Sequence, residues 1–132
     1  MWYNVNIEMK TGGDKGGIEY MSDCIFCKII AGEIPSKKVF EDDTMLAFYD
    51  IHPSAPVHVL CVPKVHISSI NDIDPSNIAH VAHIFGQIPK IAKSLGISEG
   101  YRVVSNVGEL GGQSVAHLHF HILSGKKLGR MG

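Results

Sequence analysis

Between His117 and Leu123 the chain reads His-Leu-His-Phe-His-Ile-Leu, with three histidines at every second position. A strand sends alternate side chains to opposite faces, whereas a helix would scatter these positions around its circumference. The spacing therefore predicts a strand with His117, His119 and His121 on one face and Leu118, Phe120 and Ile122 on the other. The apolar face can bury in a core. The imidazole face offers nucleophiles, proton carriers or metal ligands near neutral pH.

The segments upstream supply partners for such a strand. Lys37 to Glu41 and Met45 to Tyr49 read as two short strands around an Asp42-Asp43 turn, and Val57 to Val62 as a third, bounded by Pro56 and Pro63. Asp23 is placed to cap a short helix running to Ala31, with Gly32 ending it. The long helix opens at Asp74-Pro75-Ser76. Ile78, Val81, Phe85, Ile88, Ala92 and Leu95 recur at helical spacing, and Gly96 stops it. Pro89 inside that pattern should kink the helix or loosen its turn. Tyr101 to Ser105 reads as a further strand. Strands in sequence with one long helix inserted predict an α+β domain on an antiparallel sheet of about five strands.

At 132 residues, with 45% apolar and 19% charged residues, one globular domain accounts for the chain. Four glycines and several charges interrupt residues 1–20, which read as a flexible N-terminal extension or cloning remnant. Met21 is the expected natural start, and 21–132 the single domain. No apolar run reaches the roughly 20 residues that a membrane helix needs. A net charge of −1 gives no general attraction to nucleic acid or a membrane surface. Three cysteines, an odd number with no apolar leader, point to reduced thiols and a cytoplasmic protein.

Immediately before the histidines stands Gly108-Glu109-Leu110-Gly111-Gly112-Gln113-Ser114. Glycines let backbone N–H groups wrap an anion, and Gln113 and Ser114 add side-chain donors. Taken alone, the loop reads equally as a glycine-rich turn. Asp50, before His52-Pro53, reads alone as a turn residue. Cys24-x-x-Cys27 has the spacing of half a zinc site, which His66 and His117 would complete as Cys₂His₂; the alternative is two helix cysteines without metal. Four protein ligands leave no open position, so such a zinc would be structural. His80 and His83 fall on the long helix, on a partly solvated face. His52 reads as a loop residue and Cys61 as a core thiol.

Taken together, these segments resemble the histidine triad (HIT) family, closest to its Hint-like branch of nucleoside phosphoramidate hydrolases. The likeness rests on the triad itself and on Ile25-Phe26-Cys27-Lys28-Ile29-Ile30, Phe40-Glu41-Asp42-Asp43, Phe48-Tyr49-Asp50-Ile51 and Val62-Pro63-Lys64-Val65-His66-Ile67. It runs from Cys24 to about Gly125. The resemblance implies a HIT-like fold whose sheet extends across a homodimer. It implies hydrolysis of a purine nucleoside 5′-phosphoramidate through a covalent nucleotidyl-histidine, releasing a nucleoside monophosphate and an amine.

In that reading His119 is the nucleophile, and His121 hydrogen-bonds the phosphate together with Gly112, Gln113 and other loop donors. Ser114 sits near the leaving group, and His58 supports the triad from behind. Asp50 takes the ribose hydroxyls, Ile29, Phe48, Tyr49 and Ile51 form the nucleoside pocket, and Asn106 lies near the phosphate. Some bacterial members are similar in binding a structural zinc through positions matching Cys24, Cys27, His66 and His117. No organic cofactor is implied. Two other activities share these residues: a nucleotide-binding regulatory protein with incidental hydrolysis, and a dinucleoside polyphosphate hydrolase. A zinc held by all three histidines and activating water is a further possibility, against which no carboxylate stands beside the triad. Ser124 to Gly132 lack the tryptophan that some relatives contribute across the dimer.

Overall fold

The computed structural model describes residues 23–131. The expected extension at 1–20 and the start at Met21 lie outside the described residues. Two helices, α1 (Ile25–Ile30) and α2 (Ile78–Ser94), accompany five strands: β1 (Lys38–Glu41), β2 (Met45–Tyr49), β3 (Val57–Pro63), β4 (Arg102–Val104) and β5 (Phe120–Ser124). The strands form one sheet in the order β1-β2-β3-β5-β4, with every neighbouring pair antiparallel. This is the α+β architecture expected.

Asp42 closes the β1–β2 hairpin. Its Oδ1 accepts from the N–H groups of Thr44 and Met45 at 2.8 and 2.9 Å, a side-chain turn that fixes the register of the two strands. Its other oxygen meets His83 Nε2 of α2 at 2.6 Å, which ties the hairpin to the helix.

The unbroken apolar runs of β2 and β3 have a simple cause: both sheet faces are covered. Met45, Ala47, Val59, Cys61, Phe120 and Ile122 pack under α2 through Val81, Ile84, Ile88 and Ile91. Leu46, Phe48, Leu60 and Val62 face the other way, onto Phe26 and Ile29 of α1. Cys61 is fully buried, and burial pushes its thiol up to about 12, as suits a core residue.

Several expectations shift at the ends of elements. Cys24, not Asp23, caps α1: its Sγ accepts from the Cys27 N–H at 3.3 Å. The stretch from Asp74 to Asn77 is a turn before α2, where Asp74 Oδ1 accepts from Ser76 and Asn77 Oδ1 accepts from the Asp74 N–H. Pro89 neither breaks nor ends α2, which continues to Ser94. The proline is exposed, so its ring and the helix turn it perturbs face water.

The histidine segment also differs from a uniform strand. The β3–β5 ladder ends at the Cys61–Phe120 pair, so only His121 lies within β5. Beyond that pair Pro63 has no N–H to donate, and its carbonyl is taken by the His117 ring at 2.9 Å. The alternation nevertheless persists. Leu118, Phe120 and Ile122 enter the α2-side core, and the three imidazoles turn toward the face covered by α1.

Candidate active site

Three histidine rings, His58, His121 and His119, lie in a chain of contacts across this face, and their hydrogen bonds decide which nitrogen of each carries a proton. His119 Nδ1 lies 2.7 Å from the carbonyl oxygen of His117. A carbonyl can only accept, so Nδ1 is the protonated nitrogen and Nε2 keeps its lone pair. His58 is set in the opposite sense. The Ser54 N–H donates to its Nδ1 at 2.9 Å, so the hydrogen of the neutral ring is on Nε2. That Nε2–H donates to His121 Nδ1 at 2.9 Å, which places the His121 hydrogen on Nε2. His121 Nε2 is buried and has no partner among the described residues. One imidazole thus offers a lone pair, and its neighbour, with ring centroids 4.9 Å apart, offers a donor with nothing yet to bind.

Burial keeps these rings neutral. It lowers the pKa of His119, and the neighbouring His117 and His58 add to the effect, outweighing the hydrogen bond to the His117 carbonyl. For His121 the same desolvation, with His119 and His58 nearby, brings the pKa to about 3. His58 is also lowered by burial, although the Asp50 carboxylate opposes it from 3.5 Å. Phe26 stands edge-on to His119 and His117, with centroids 5.1 and 5.9 Å away, and supplies much of this apolar wall. Its pairing with the histidines was not foreseen from sequence, where it read as one apolar residue of a short helix.

A cleft of about 310 Å³ opens beside His121, lined by His58, Asn106, Gly112, Ser114 and Leu123 among others. His119, next to His121 in the row of rings, is buried and only 3% exposed. The Ser114 hydroxyl has no hydrogen-bond partner among the described residues and stands in the cleft wall. His58, His121, Ser114, Asn106 and Gly112 are therefore brought together as expected. Ser54, whose backbone orients His58 and which also lines the cleft, carried no sequence signal.

The glycine loop differs from expectation. The N–H groups of Gly111, Gly112 and Gln113 donate back to the carbonyls of Gly108 and Glu109 at 3.0–3.2 Å, so they close a turn and are not free to wrap an anion. A Cβ at Gly111 would overlap the Val107 carbonyl oxygen, and Gly112 has φ +84°, which makes glycine a requirement of the turn.

Gln113 is likewise committed. Its Nε2 donates to the Ser68 and Val115 carbonyls at 2.7 and 2.9 Å, while its Oε1 accepts from the Gly108 N–H at 2.9 Å. Both amide hydrogens are spent on backbone. Gln113 is thus a strut fastening the loop to the Ser68 segment, not the phosphate donor expected.

The nucleoside-binding residues divide. Asp50 is buried, with Oδ1 accepting from the His52 N–H at 2.8 Å, and so it is a turn residue after all. Its Oδ2 is buried without a hydrogen-bond partner and faces His58. Ile29 and Phe48 are buried together in the α1-side core, whereas Ile51 is 67% exposed. Tyr49 is not brought to this group. Strand alternation turns it to the α2 side, where it packs on the other core with Lys37 Nζ above its ring.

The cysteines and the first triad histidine form a separate cluster. Cys24 Sγ lies 3.4 Å from His117 Nδ1, and Cys27 Sγ lies 3.3 Å from His66 Nδ1 and 3.6 Å from His117 Nδ1. Zn–S bonds of about 2.3 Å and Zn–N bonds of about 2.05 Å at tetrahedral angles imply S···N edges of about 3.6 Å. The observed edges fit. Because His117 Nε2 donates to the Pro63 carbonyl, its Nδ1 lone pair is aimed at the thiols, the usual arrangement behind a metal-bound imidazole. Hydrogen bonding from the Cys27 thiol and from backbone N–H groups lowers the Cys24 thiol to about 7, against the effect of burial. These four residues can hold a metal ion.

Asp50, His58 and His121 are also close enough to hold an ion. The tautomers argue otherwise: with Ser54 donating to Nδ1, the inward Nε2 of His58 carries a hydrogen and has no lone pair for a metal.

Residues 23–131 match the family described as the scavenger mRNA decapping enzyme C-terminal binding domain. The protein HitA of Neisseria gonorrhoeae is 45% identical over 103 residues, which are 78% of this chain and 96% of that protein. A crystal structure described as a HIT family hydrolase from Legionella pneumophila is 48% identical with a TM-score of 0.78, covering 80% of this chain and 96% of its own. A histidine triad protein from Clostridium difficile is 55% identical with a TM-score of 0.79, covering 83% and 96% respectively. Identity at this level extends over almost the full length of those proteins, and the five-stranded antiparallel sheet is of the same fold. The chain belongs to the histidine triad family.

Proposed function

We propose that this protein hydrolyses purine nucleoside 5′-phosphoramidates through a nucleotidyl-His119 intermediate. One observation carries the reading: the His117 carbonyl holds the Nδ1 hydrogen of His119, leaving Nε2 as a nucleophile beside the unpartnered Nε2–H of His121. In the first step Nε2 attacks the α-phosphorus and the P–N bond breaks, the amine leaving with a proton passed on through the Ser114 hydroxyl, which the attacking water makes good in the second step. His121 donates to a non-bridging oxygen as charge builds there. Water then attacks the phosphorus, the P–Nε2 bond breaks, and the nucleoside monophosphate departs with His119 restored. The Ser114 hydroxyl stands in the cleft wall for the departing amine, and the buried Oδ2 of Asp50, 3.5 Å from His58 Nε2, is the acceptor proposed for a ribose hydroxyl.

Cys24, Cys27, His66 and His117 would hold a structural zinc, which supplies no chemistry to the reaction but fixes the segment bearing the His117 carbonyl. The short edge strand β4 would pair with a second copy, extending the sheet across a homodimer. No helix among the described residues is long and apolar enough to cross a membrane.

Adenosine 5′-phosphoramidate given to the wild type and to His119→Ala, with and without a chelator, tests the reading. Turnover that depends on His119 and passes through a nucleotidyl-protein adduct seen by mass spectrometry is the expected result. Nucleotide binding without turnover of any amine conjugate would identify a nucleotide-binding regulator instead. Turnover of dinucleoside polyphosphates alone would identify that hydrolase.

A further inference from the structure

The cleft has a basic neighbour. Arg102 and Val104 are two apart on β4, and their partners on β5 are Leu123 and His121. Residues two apart, and residues directly opposite, share a sheet face, so all four side chains project from the face that carries His121. Val104, His121 and Leu123 line the cleft. Arg102, with Tyr101, Ser124, Lys126 and Lys127, lines a second hollow of about 240 Å³. Two residue steps separate the Val104 and Arg102 rungs, about 7 Å at roughly 3.3 Å per residue.

The charges there are unusual for this chain. No lysine or arginine is among the described residues lining the cleft, although a phosphate-bearing substrate is anionic. No carboxylate is among the described residues lining the second hollow. Elsewhere Lys38 and Lys64 both pair with the Glu41 carboxylate at 2.8 Å. Arg102 instead binds a neutral group, its Nη2 donating to the Gly129 carbonyl at 2.7 Å, and no described carboxylate pairs with it, Lys126 or Lys127. Lys126 and Lys127, in the same tail, line the hollow beside Arg102.

Building on the phosphoramidate reading, we propose that Arg102, Lys126 and Lys127 form a leaving-group subsite selecting amines that carry a remote anion, a carboxylate or a phosphate. The span between the rungs sets the Arg102 backbone about 7 Å beyond the Val104–His121 pair at the cleft. The chemistry is unchanged: the bond from phosphorus to His119 Nε2 forms, the P–N bond breaks, and the amine departs with a proton and its anion intact. Charge complementarity at partly exposed cations contributes through both binding and encounter, and both weaken with salt.

The test compares adenosine 5′-phosphoramidates of n-butylamine, 4-aminobutyrate and phosphoethanolamine: a neutral arm, a carboxylate arm and a phosphate arm. The wild type should favour one or both anionic arms over the neutral one by about tenfold in kcat/KM, and the preferred arm identifies the anion. In Lys126→Gln/Lys127→Gln, which keeps the Arg102 tether, the preference should shrink, and adding Arg102→Gln should bring it near unity. Equal kcat/KM on all three arms, or a preference that survives the triple substitution, overturns the proposal. Kd for the same conjugates on His119→Ala gives the anionic-to-neutral ratio even where no bond is cleaved. Absent turnover therefore counts against the phosphoramidate reading, and a Kd ratio of one counts against the subsite.

Discussion

His117 holds His119 by its backbone while its own ring belongs to another site: its carbonyl accepts from His119 Nδ1 at 2.7 Å, and its Nδ1 lies 3.4 Å from Cys24 Sγ. The atom that sets the nucleophile's tautomer and the atom that faces the thiol cluster are in the same residue. Whatever fixes the ring fixes the carbonyl.

Metal removal should therefore reach the nucleophile. The purified protein is expected to hold close to one zinc per chain by elemental analysis. Cys27→Ser and His66→Ala should lose the metal and lower the melting temperature. Activity should fall about 10- to 100-fold, the usual effect of disturbing groups that orient a site through its metal shell. Wild-type stability that is indifferent to a strong chelator, with no metal in the preparation, would remove the basis for the coupling.

Four histidines carry defined hydrogens, and long-range ¹⁵N–¹H correlation spectra can read them. His119 should appear as the Nδ1–H tautomer, and His58, His121 and His117 as Nε2–H. Ser54→Ala should leave the His58 pattern unchanged because the backbone N–H does the work. Ser54→Pro removes that donor and should release His58 from a single tautomer. A mixed population for His119 in the wild type would contradict the hydrogen bond to His117.

Acid should destabilise the fold through these same rings. His58, His119 and His121 all have native pKa values below that of the free side chain, 6.5, and His121 reaches about 3. Between those limits the unfolded chain binds more protons than the native one, so stability falls as pH drops. The loss should begin near pH 6.5 and continue toward about 3, and should flatten in His121→Asn, measured by chemical denaturation across pH. For turnover, the acidic limb should lie below the ordinary histidine range. A stability profile that rises from pH 6.5 to 4 would show the rings to be charged in the native state.

Gln113 should act on stability as well as activity. Gln113→Leu strands two carbonyls at partly buried positions and one exposed N–H, each carbonyl costing about 1–3 kcal/mol if left unsatisfied and the N–H less, since water reaches it. A melting temperature several degrees lower is expected. Gln113→Glu keeps the acceptor for Gly108 but loses both donors, and should fall in between once its charge is allowed for. Unchanged stability with a raised KM would return Gln113 to the role of phosphate ligand.

Some of this was legible in the residues. Period-two alternation placed the three imidazoles on one side because the side-chain period of an extended chain is fixed locally, and it held even at His117 and His119, where no ladder forms. The apolar runs Met45–Phe48 and Val59–Val62 were legible as strands, but not as strands covered on both faces, since that depends on where α1 and α2 dock. Tyr49 shows the limit of motif reading: its neighbour Phe48 marks the segment, yet pleating sends the two rings to opposite cores. The glycine loop shows another, because Gly108 to Ser114 are compatible with either an anion nest or a self-closed turn, and the pairing of their amides is a tertiary outcome.

The sequence by itself determined the sheet-forming segments, the common side of His117, His119 and His121, and the four candidate metal ligands, because strand periodicity and residue chemistry are local properties. Only the tertiary structure decided which nitrogen of each ring holds its hydrogen. For His117 and His121 that depends on groups far off in the chain, the Pro63 carbonyl beside His117 and the His58 Nε2–H beside His121. It also depends on the burial that keeps those rings neutral, and no spacing of histidines in a sequence encodes either one.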